Sequence, residues 1–260
     1  MVPTKRSDIP ADIPAMSFTR HLVHRASSFE GIMHGSATPV AQHFTLSMAL
    51  PQQRPDFGGA PRSGLFHDMH LPLEALRRSA LFVAHRYFRV PAERAAVFSS
   101  TDSEVTALAP WRRSGGPAQL TMELTFSPVD VVHGVPRGLE CESTLRIEGS
   151  VCGTATARME FLAPDTDHHG STVELLEGSR EMAFLLAAQL GGFSVGSCIL
   201  SRWNARLESS AAPGLPASCT ASSGALRREP DGRPALPLTL VFSQGPHRIG
   251  TVGAVVLQDC

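Results

Sequence analysis

The chain has 260 residues, with a hydrophobic fraction of 42% and a charged fraction of 18%; this fits one large domain or two smaller ones and is too apolar for wholesale disorder. Lysine and arginine number 23 against 24 acidic residues, a formal net charge of −1, which argues against sequence-independent nucleic-acid binding, since that runs on phosphate neutralisation. No apolar run approaches the roughly 18 residues of a membrane span, and the first residues carry Lys5, Arg6, Asp8 and Asp12 without the apolar core of a secretory signal, so a cytoplasmic protein is expected.

Residues 1–19 have no clear period and read as a loose arm. Between Val40 and Leu50 a strand pattern appears, with Phe44, Leu46, Met48 and Leu50 alternating with His43, Thr45, Ser47 and Ala49. Pro51 to Ser63 is broken by prolines and glycines and reads as loop. A helix follows, carried by Leu73, Leu76, Ala80, Val83 and Ala84, with Asp68 near its start, Pro72 in its first turn and Pro91 beyond its end. Strands are then expected at Val97–Leu108, around Leu120–Phe126, at Leu139–Glu148 and at Val151–Leu162, the last two joined by a hairpin at Gly149-Ser150. Val173–Leu190 reads as a second apolar helix, closed by Gly191-Gly192. Strands follow at Val195–Leu207, Ser218–Leu226, Leu236–Phe242 and Arg248–Leu257, with a closing hairpin around Gly245-Pro246.

The order of elements thus repeats. Leu73-Glu74-Ala75-Leu76-Arg77 parallels Leu176-Glu177-Gly178-Ser179-Arg180, Thr144-Leu145 parallels Thr239-Leu240, and Gly153-Thr154 parallels Gly250-Thr251. A helix this apolar must be covered all round, and a curled antiparallel sheet does so. The expected fold class is α+β: a tandem double hotdog, each repeat a curved antiparallel sheet around one long buried helix. The first repeat would span residues 20–164 and the second, lacking its own first strand, residues 165–260.

Glu74 and Glu177 stand among apolar residues, where an ionised carboxylate is costly unless paired or facing a cleft. Arg77 and Arg180 follow one turn on. A plain ion pair on a helix edge is the bland reading, but recurrence in both copies favours a site. A carboxylate held near neutrality by burial serves as a general base, a guanidinium grips phosphate or carboxylate, and helix N-termini offer N–H groups to a thioester oxygen.

At these residues the chain resembles the A-factor biosynthesis family of γ-butyrolactone synthases. The likeness runs through Val23-His24-Arg25, Ala49-Leu50-Pro51, His67-Asp68, Glu74-x-x-Arg77 and Ala84-His85-Arg86-Tyr87-Phe88-Arg89-Val90-Pro91, then Asp167-His168 and Glu177-x-x-Arg180. Arg78 and Glu181 stand where the family has Gln, and Arg89 where it has Gly. The resemblance implies transfer of a β-ketoacyl group from a carrier-protein or CoA thioester to the hydroxyl of dihydroxyacetone phosphate. Glu74 and Glu177 would be the essential carboxylates. Arg77 and Arg180 would bind substrate, with His67 and Asp68 at the cleft. No cofactor or metal is implied, and the protein would be an intramolecular pseudo-dimer, as a monomer or a homodimer.

Two other readings stay open: a hotdog thioesterase or dehydratase acting on acyl thioesters, and a non-catalytic acyl-binding protein. His67, Asp68 and His70, and His168 with His169, lack the spacing of a metal site. His85 reads as a hydrogen-bonded core residue, and Gly178 as a place of close approach. Trp111-Arg112-Arg113 and Arg227-Arg228 read as solvated loop, or else as a docking spot for an acidic carrier protein. Cys141, Cys152, Cys198, Cys219 and Cys260, odd in number and without C-x-x-C, read as small buried residues rather than disulfide partners.

Overall fold

The computed structural model describes residues 22–25, 39–51, 64–163, 172–209 and 215–259. The N-terminal arm, Asp167-His168 and His169 lie outside the described residues. In chain order the elements are β1 (Leu22–Arg25), β2 (Gln42–Leu50), α1 (His70–Arg86), β3 (Ala95–Val105), β4 (Ala118–Val132), β5 (Val135–Ile147), β6 (Ser150–Leu162), α2 (Thr172–Gly191), β7 (Cys198–Leu207), β8 (Ser218–Ser223), β9 (Arg227–Arg228), β10 (Pro234–Gln244) and β11 (His247–Gln258). Every pairing is antiparallel, and the strands form one sheet in the order β1-β2-β4-β5-β6-β3-β7-β11-β10-β8, with β9 also on β10.

Turn chemistry sets the hairpins. Glu148 and Gly149 both take positive φ, 48° and 80°, so the β5–β6 turn falls one residue before the expected Gly149-Ser150, in the double left-handed form that matches strand twist. The expected strand from Val195 begins only at Cys198, because Val195–Ser197 forms one 3-10 turn.

The sheet's inner face and the helices make two apolar cores. α1 buries Pro72, Ala75, Leu76, Ser79, Ala80, Val83 and Ala84 against β4, β5 and β6, while α2 packs on β10 and β11. The first core holds Phe44, Leu46, Leu76, Phe126 and Met159, and the second Ala183, Ala187, Trp203, Leu240 and Val252. Leu73 of α1 packs against both. The halves meet where β3 pairs with β7, Asp102 beside Asn204 and Glu104 beside Arg202. Those two pairs are bonded through their side chains on the outer face.

The strands that follow each helix take the same neighbours. The first half reads β4-β5-β6-β3 and the second β8-β10-β11-β7, running inward to the junction. Gly153 of β6 pairs with Val105, the last residue of β3. Gly250 of β11 pairs with Leu207, the last residue of β7. A Cβ would meet the Glu104 carbonyl at 2.6 Å from the first and the Arg206 carbonyl at 2.5 Å from the second. The Thr-Leu correspondence is displaced: Leu145 lies opposite Gly153, but Phe242, not Leu240, lies opposite Gly250.

Candidate active site

α1 begins under the control of Asp68. One oxygen of its carboxylate accepts the His70 backbone N–H at 3.1 Å, meeting one of the free donors of the first turn. The other accepts the Arg180 guanidinium from α2. Both side chains are nearly out of solvent, 15% and 11% exposed, so this pair ties the start of α1 to the second half. Arg180, expected within reach of Glu177 of its own helix, reaches across the halves to Asp68. The side chain of Glu177 lies outside the described residues.

Glu74 sits one turn into α1, 22% exposed. Arg77 grips it in a fork, Nε to Oε2 and Nη2 to Oε1, each at 2.7 Å. Arg78 adds a third bond, Nε to Oε1 at 2.6 Å. Burial pushes this carboxyl upward, but the hydrogen bonds and charges of Arg77 and Arg78 outweigh it and hold it below its ordinary value of 4.5. The near-neutral carboxylate expected from apolar surroundings is therefore not what folds. The reason is Arg77 together with Arg78, at i+3 and i+4 from Glu74. The i,i+4 spacing alone could have found Arg78.

Two cavities flank these residues. The smaller, about 30 Å³, lies under Glu74 and Arg77 and is bounded by His70, Phe98, Leu176 and Trp203 among others. The larger, about 370 Å³, is lined by Phe66, His67, Asp68, Arg113, Phe184 and Ile199, among others, a size suited to a small organic ligand. Asp68 lines the larger cavity, and His70, bonded to it, the smaller. His67 and Asp68 are thus together, as are Glu74 and Arg77, but the two groups face adjoining spaces.

His67 is 3% exposed. Neither ring nitrogen makes a well-formed hydrogen bond among the described residues. Burial and the charge of Arg113 press its pKa below 6.5, against a weaker opposite pull from the Pro51 backbone. The imidazole is therefore neutral at neutral pH. Cys198, on the same wall, is pushed up to about 11 by burial. It remains a thiol at neutral pH and acts as apolar lining rather than as a nucleophile.

Arg113 belongs to a segment the sequence reading placed in solvated loop. Trp111 is instead fully buried, its indole N–H donating to the Cys152 carbonyl at 3.0 Å. Phe66 and Arg112 form a β-bridge. The His67 N–H donates to the Trp111 carbonyl at 2.8 Å, and the Arg113 N–H to the Leu65 carbonyl at 2.9 Å. A tryptophan beside two arginines was the available signal: its large apolar body needs a core, and once anchored it drags Arg113 to the cavity wall. His85, expected in the core, is exposed and binds the Val90 carbonyl at 2.8 Å beyond the helix end. Gly178 is exposed, with nothing among the described residues within 4 Å of its would-be Cβ. Among the described residues no three His, Cys, Asp or Glu side chains gather as metal ligands, and no helix is long and apolar enough to cross a membrane.

A helix-covered, curled antiparallel sheet with polar side chains at the helix starts defines a hotdog protein. The chain belongs to the A-factor biosynthesis hotdog domain family, whose model matches residues 8–163. Among solved structures, the 12:0-ACP thioesterase of Umbellularia californica aligns over 83% of this chain and 94% of its own, with a TM-score of 0.53 and 6% identity. The tesB protein of Mycobacterium avium subspecies paratuberculosis aligns over 84% and 93%, with a TM-score of 0.49 and 10% identity. At 6% identity the likeness to the Umbellularia californica protein is one of fold alone. No curated protein matches the chain significantly.

Proposed function

We propose that this protein is a cytoplasmic acyltransferase that moves a β-ketoacyl group from a carrier-protein or CoA thioester to the hydroxyl of dihydroxyacetone phosphate or a similar small phosphorylated acceptor. The observation that carries this reading is the largely apolar cavity of about 370 Å³ beside an arginine-rich cluster, in a chain of the A-factor family. The cavity suits an acyl chain. Arg77, Arg78, Arg113 and Arg180 outnumber Glu74 and Asp68 among the described side chains here, a balance that suits phosphate.

The arginines also suggest how Glu74 becomes a base. In the free protein their bonds lower its basicity. An acceptor phosphate competes for the same guanidiniums, frees a carboxylate oxygen and restores its proton affinity. Glu74 then takes the proton of the acceptor hydroxyl as oxygen attacks the thioester carbon. The C–S bond breaks, the ester forms, and the departing thiolate takes the proton back from Glu74. Glu177 is assigned as the second catalytic carboxylate, Arg77 and Arg180 as substrate-binding, with His67 and Asp68 at the cleft.

The fold reading that goes with this is a tandem double hotdog, residues 20–164 and 165–260, each sheet wrapped on a central helix. Its support is the matched strand order and the matched close-approach glycines.

Mass spectrometry of the protein with a β-ketoacyl thioester, with and without dihydroxyacetone phosphate, tests the reaction. An acyl phosphate ester that forms only with the acceptor supports the transferase. Free acid regardless of acceptor replaces it with a hydrolase, and unchanged thioester in both mixtures overturns it.

A further inference from the structure

Most arginines of the described residues rest on a carboxylate. Arg112 holds Asp259, Arg202 holds Glu104, Arg227 holds Glu229 and Arg248 holds Glu208. Two of these, Arg112 and Arg227, belong to the pairs read from the sequence as docking spots, and they are neutralised where they stand. The end of α1 is different. Arg86, Arg89 and Arg94 lie within nine residues of one another, and none makes an ion pair among the described residues. From residue 74 to residue 94 five arginines stand against two glutamates, a net of +3 in a chain whose total is −1. The fold turns this charge outward. Phe88 and Val90 are buried, and their N–H groups donate to the Val83 and Ala84 carbonyls at 3.2 and 3.0 Å. Arg89, between them, is exposed and held in the left-handed region at φ 56°, a strained place for any residue with a side chain. Arg86 is exposed beside it, 6.0 Å over the Tyr87 ring. A stripe of α1 joins this end to the candidate site. Glu74, Arg78, Leu81 and His85 follow at steps that keep one side of the helix, and solvent reaches all of them. From Glu74 to Arg86 the helix rises about 18 Å, a span that an extended phosphopantetheine arm covers.

We propose that the basic end of α1, formed by Arg86, Arg89 and Arg94, docks the acidic face of an acyl carrier protein, whose phosphopantetheine arm then lies along α1 toward Glu74. This rests on the acyl-thioester reading above and selects the carrier protein rather than CoA as the donor. Neither cavity described above includes Arg86, Arg89 or Arg94. A nucleotide needs a slot for its base, whereas a helix carrying carboxylates lies on an open basic surface. Charges of this kind act at the rim: they steer the partner into register and lose strength as salt screens them.

The test follows binding of a dye-labelled β-ketoacyl carrier protein by fluorescence anisotropy, with acyl transfer from that carrier protein and from β-ketoacyl-CoA measured in parallel. In the double variant Arg86→Glu with Arg89→Glu, the carrier Kd and KM should both rise roughly tenfold or more, since like charges then meet. The KM for β-ketoacyl-CoA and its kcat should stay within about twofold, because neither arginine touches the reacting atoms. Added salt should weaken the wild-type complex and change that of the double variant little. Arg89→Gly separates docking from stability: it removes the charge and the strain together, so it should bind the carrier several-fold more weakly yet unfold at a higher urea concentration than wild type. This second variant also keeps the test open if the charge reversal prevents folding. Lysine at both positions should restore binding to within a few-fold. Unchanged carrier affinity in the double variant and in Arg89→Gly overturns the docking surface and leaves the acyltransferase standing. Equal losses with carrier and CoA thioesters, or wild type that uses the CoA thioester without binding the carrier, do the same. Binding to phosphatidylglycerol vesicles that the variants lose, with carrier affinity intact, reassigns the patch to a membrane surface and also overturns it. Wild type that transfers from neither thioester overturns the acyltransferase reading itself.

Discussion

At the scale of single residues, the proposed chemistry turns on Glu74. Its carboxylate is held by three charge-assisted bonds from two arginines, and their pull exceeds the effect of burial. Replacing Arg78 by Ala removes one bond and one positive charge, so the carboxyl rises in pKa. A base works when deprotonated; the acid limb of the pH–rate profile of Arg78→Ala should therefore move to higher pH, and an unmoved limb would remove Glu74 from the role of base. Stability follows the same sign. A carboxyl depressed on folding stabilises the native state above its unfolded value, 4.5 here, and that contribution is lost as pH falls through the folded pKa. Thermal melts from neutrality into acid should thus show less acid loss in Glu74→Gln than in wild type. His67 acts in a higher window: its pKa lies below 6.5 in the fold, so unfolded chains take up its proton first and stability declines as pH drops below 6.5.

Elements carry two departures from ideal sequence. Arg89, just past α1, sits at φ 56° in the left-handed region. A side chain there is strained, and Arg89→Gly should stabilise the protein by about 1 kcal/mol, read as a higher urea midpoint. Gly178 lies within α2 with open space at its Cβ position. Gly178→Ala should likewise add about 1 kcal/mol; a loss would mean that a ligand or partner needs the gap. Asp68 is of another kind, since it serves the first turn of α1 and Arg180 of α2 at once. Replacing it leaves a nearly buried guanidinium short of its partner, a cost of about 3–5 kcal/mol.

At the scale of the whole molecule, the β3–β7 pairing and Leu73 make the halves interdependent. One cooperative unfolding transition is expected by calorimetry, rather than two. Gly153 and Gly250 are where neighbouring backbones come too close for a side chain. Ala at Gly250 must push the Arg206 carbonyl away and should cost about 1–3 kcal/mol, lowering that single transition, whereas a second, separate transition would show the halves to be independent.

Strands and helices were legible in the amino-acid order, since period-two and period-3.6 apolarity follow from which face must leave water; Phe44, Leu46 and Leu50 are buried as their alternation requires. Asp68 near the start of α1, the left-handed glycine closing α2 and the Glu74–Arg77 pair follow from local spacing in the same way. What spacing could not hold is anything set by distant chain segments meeting. Arg180 lies 112 positions from Asp68, and Arg113 reaches the cavity because Trp111 is anchored on Cys152, 41 positions on. Periodicity tells which side of an element is apolar, and local spacing sets Arg77 and Arg78 on Glu74; only the packed sheet decides which charges from distant segments meet, because that depends on how far-apart stretches of chain come together.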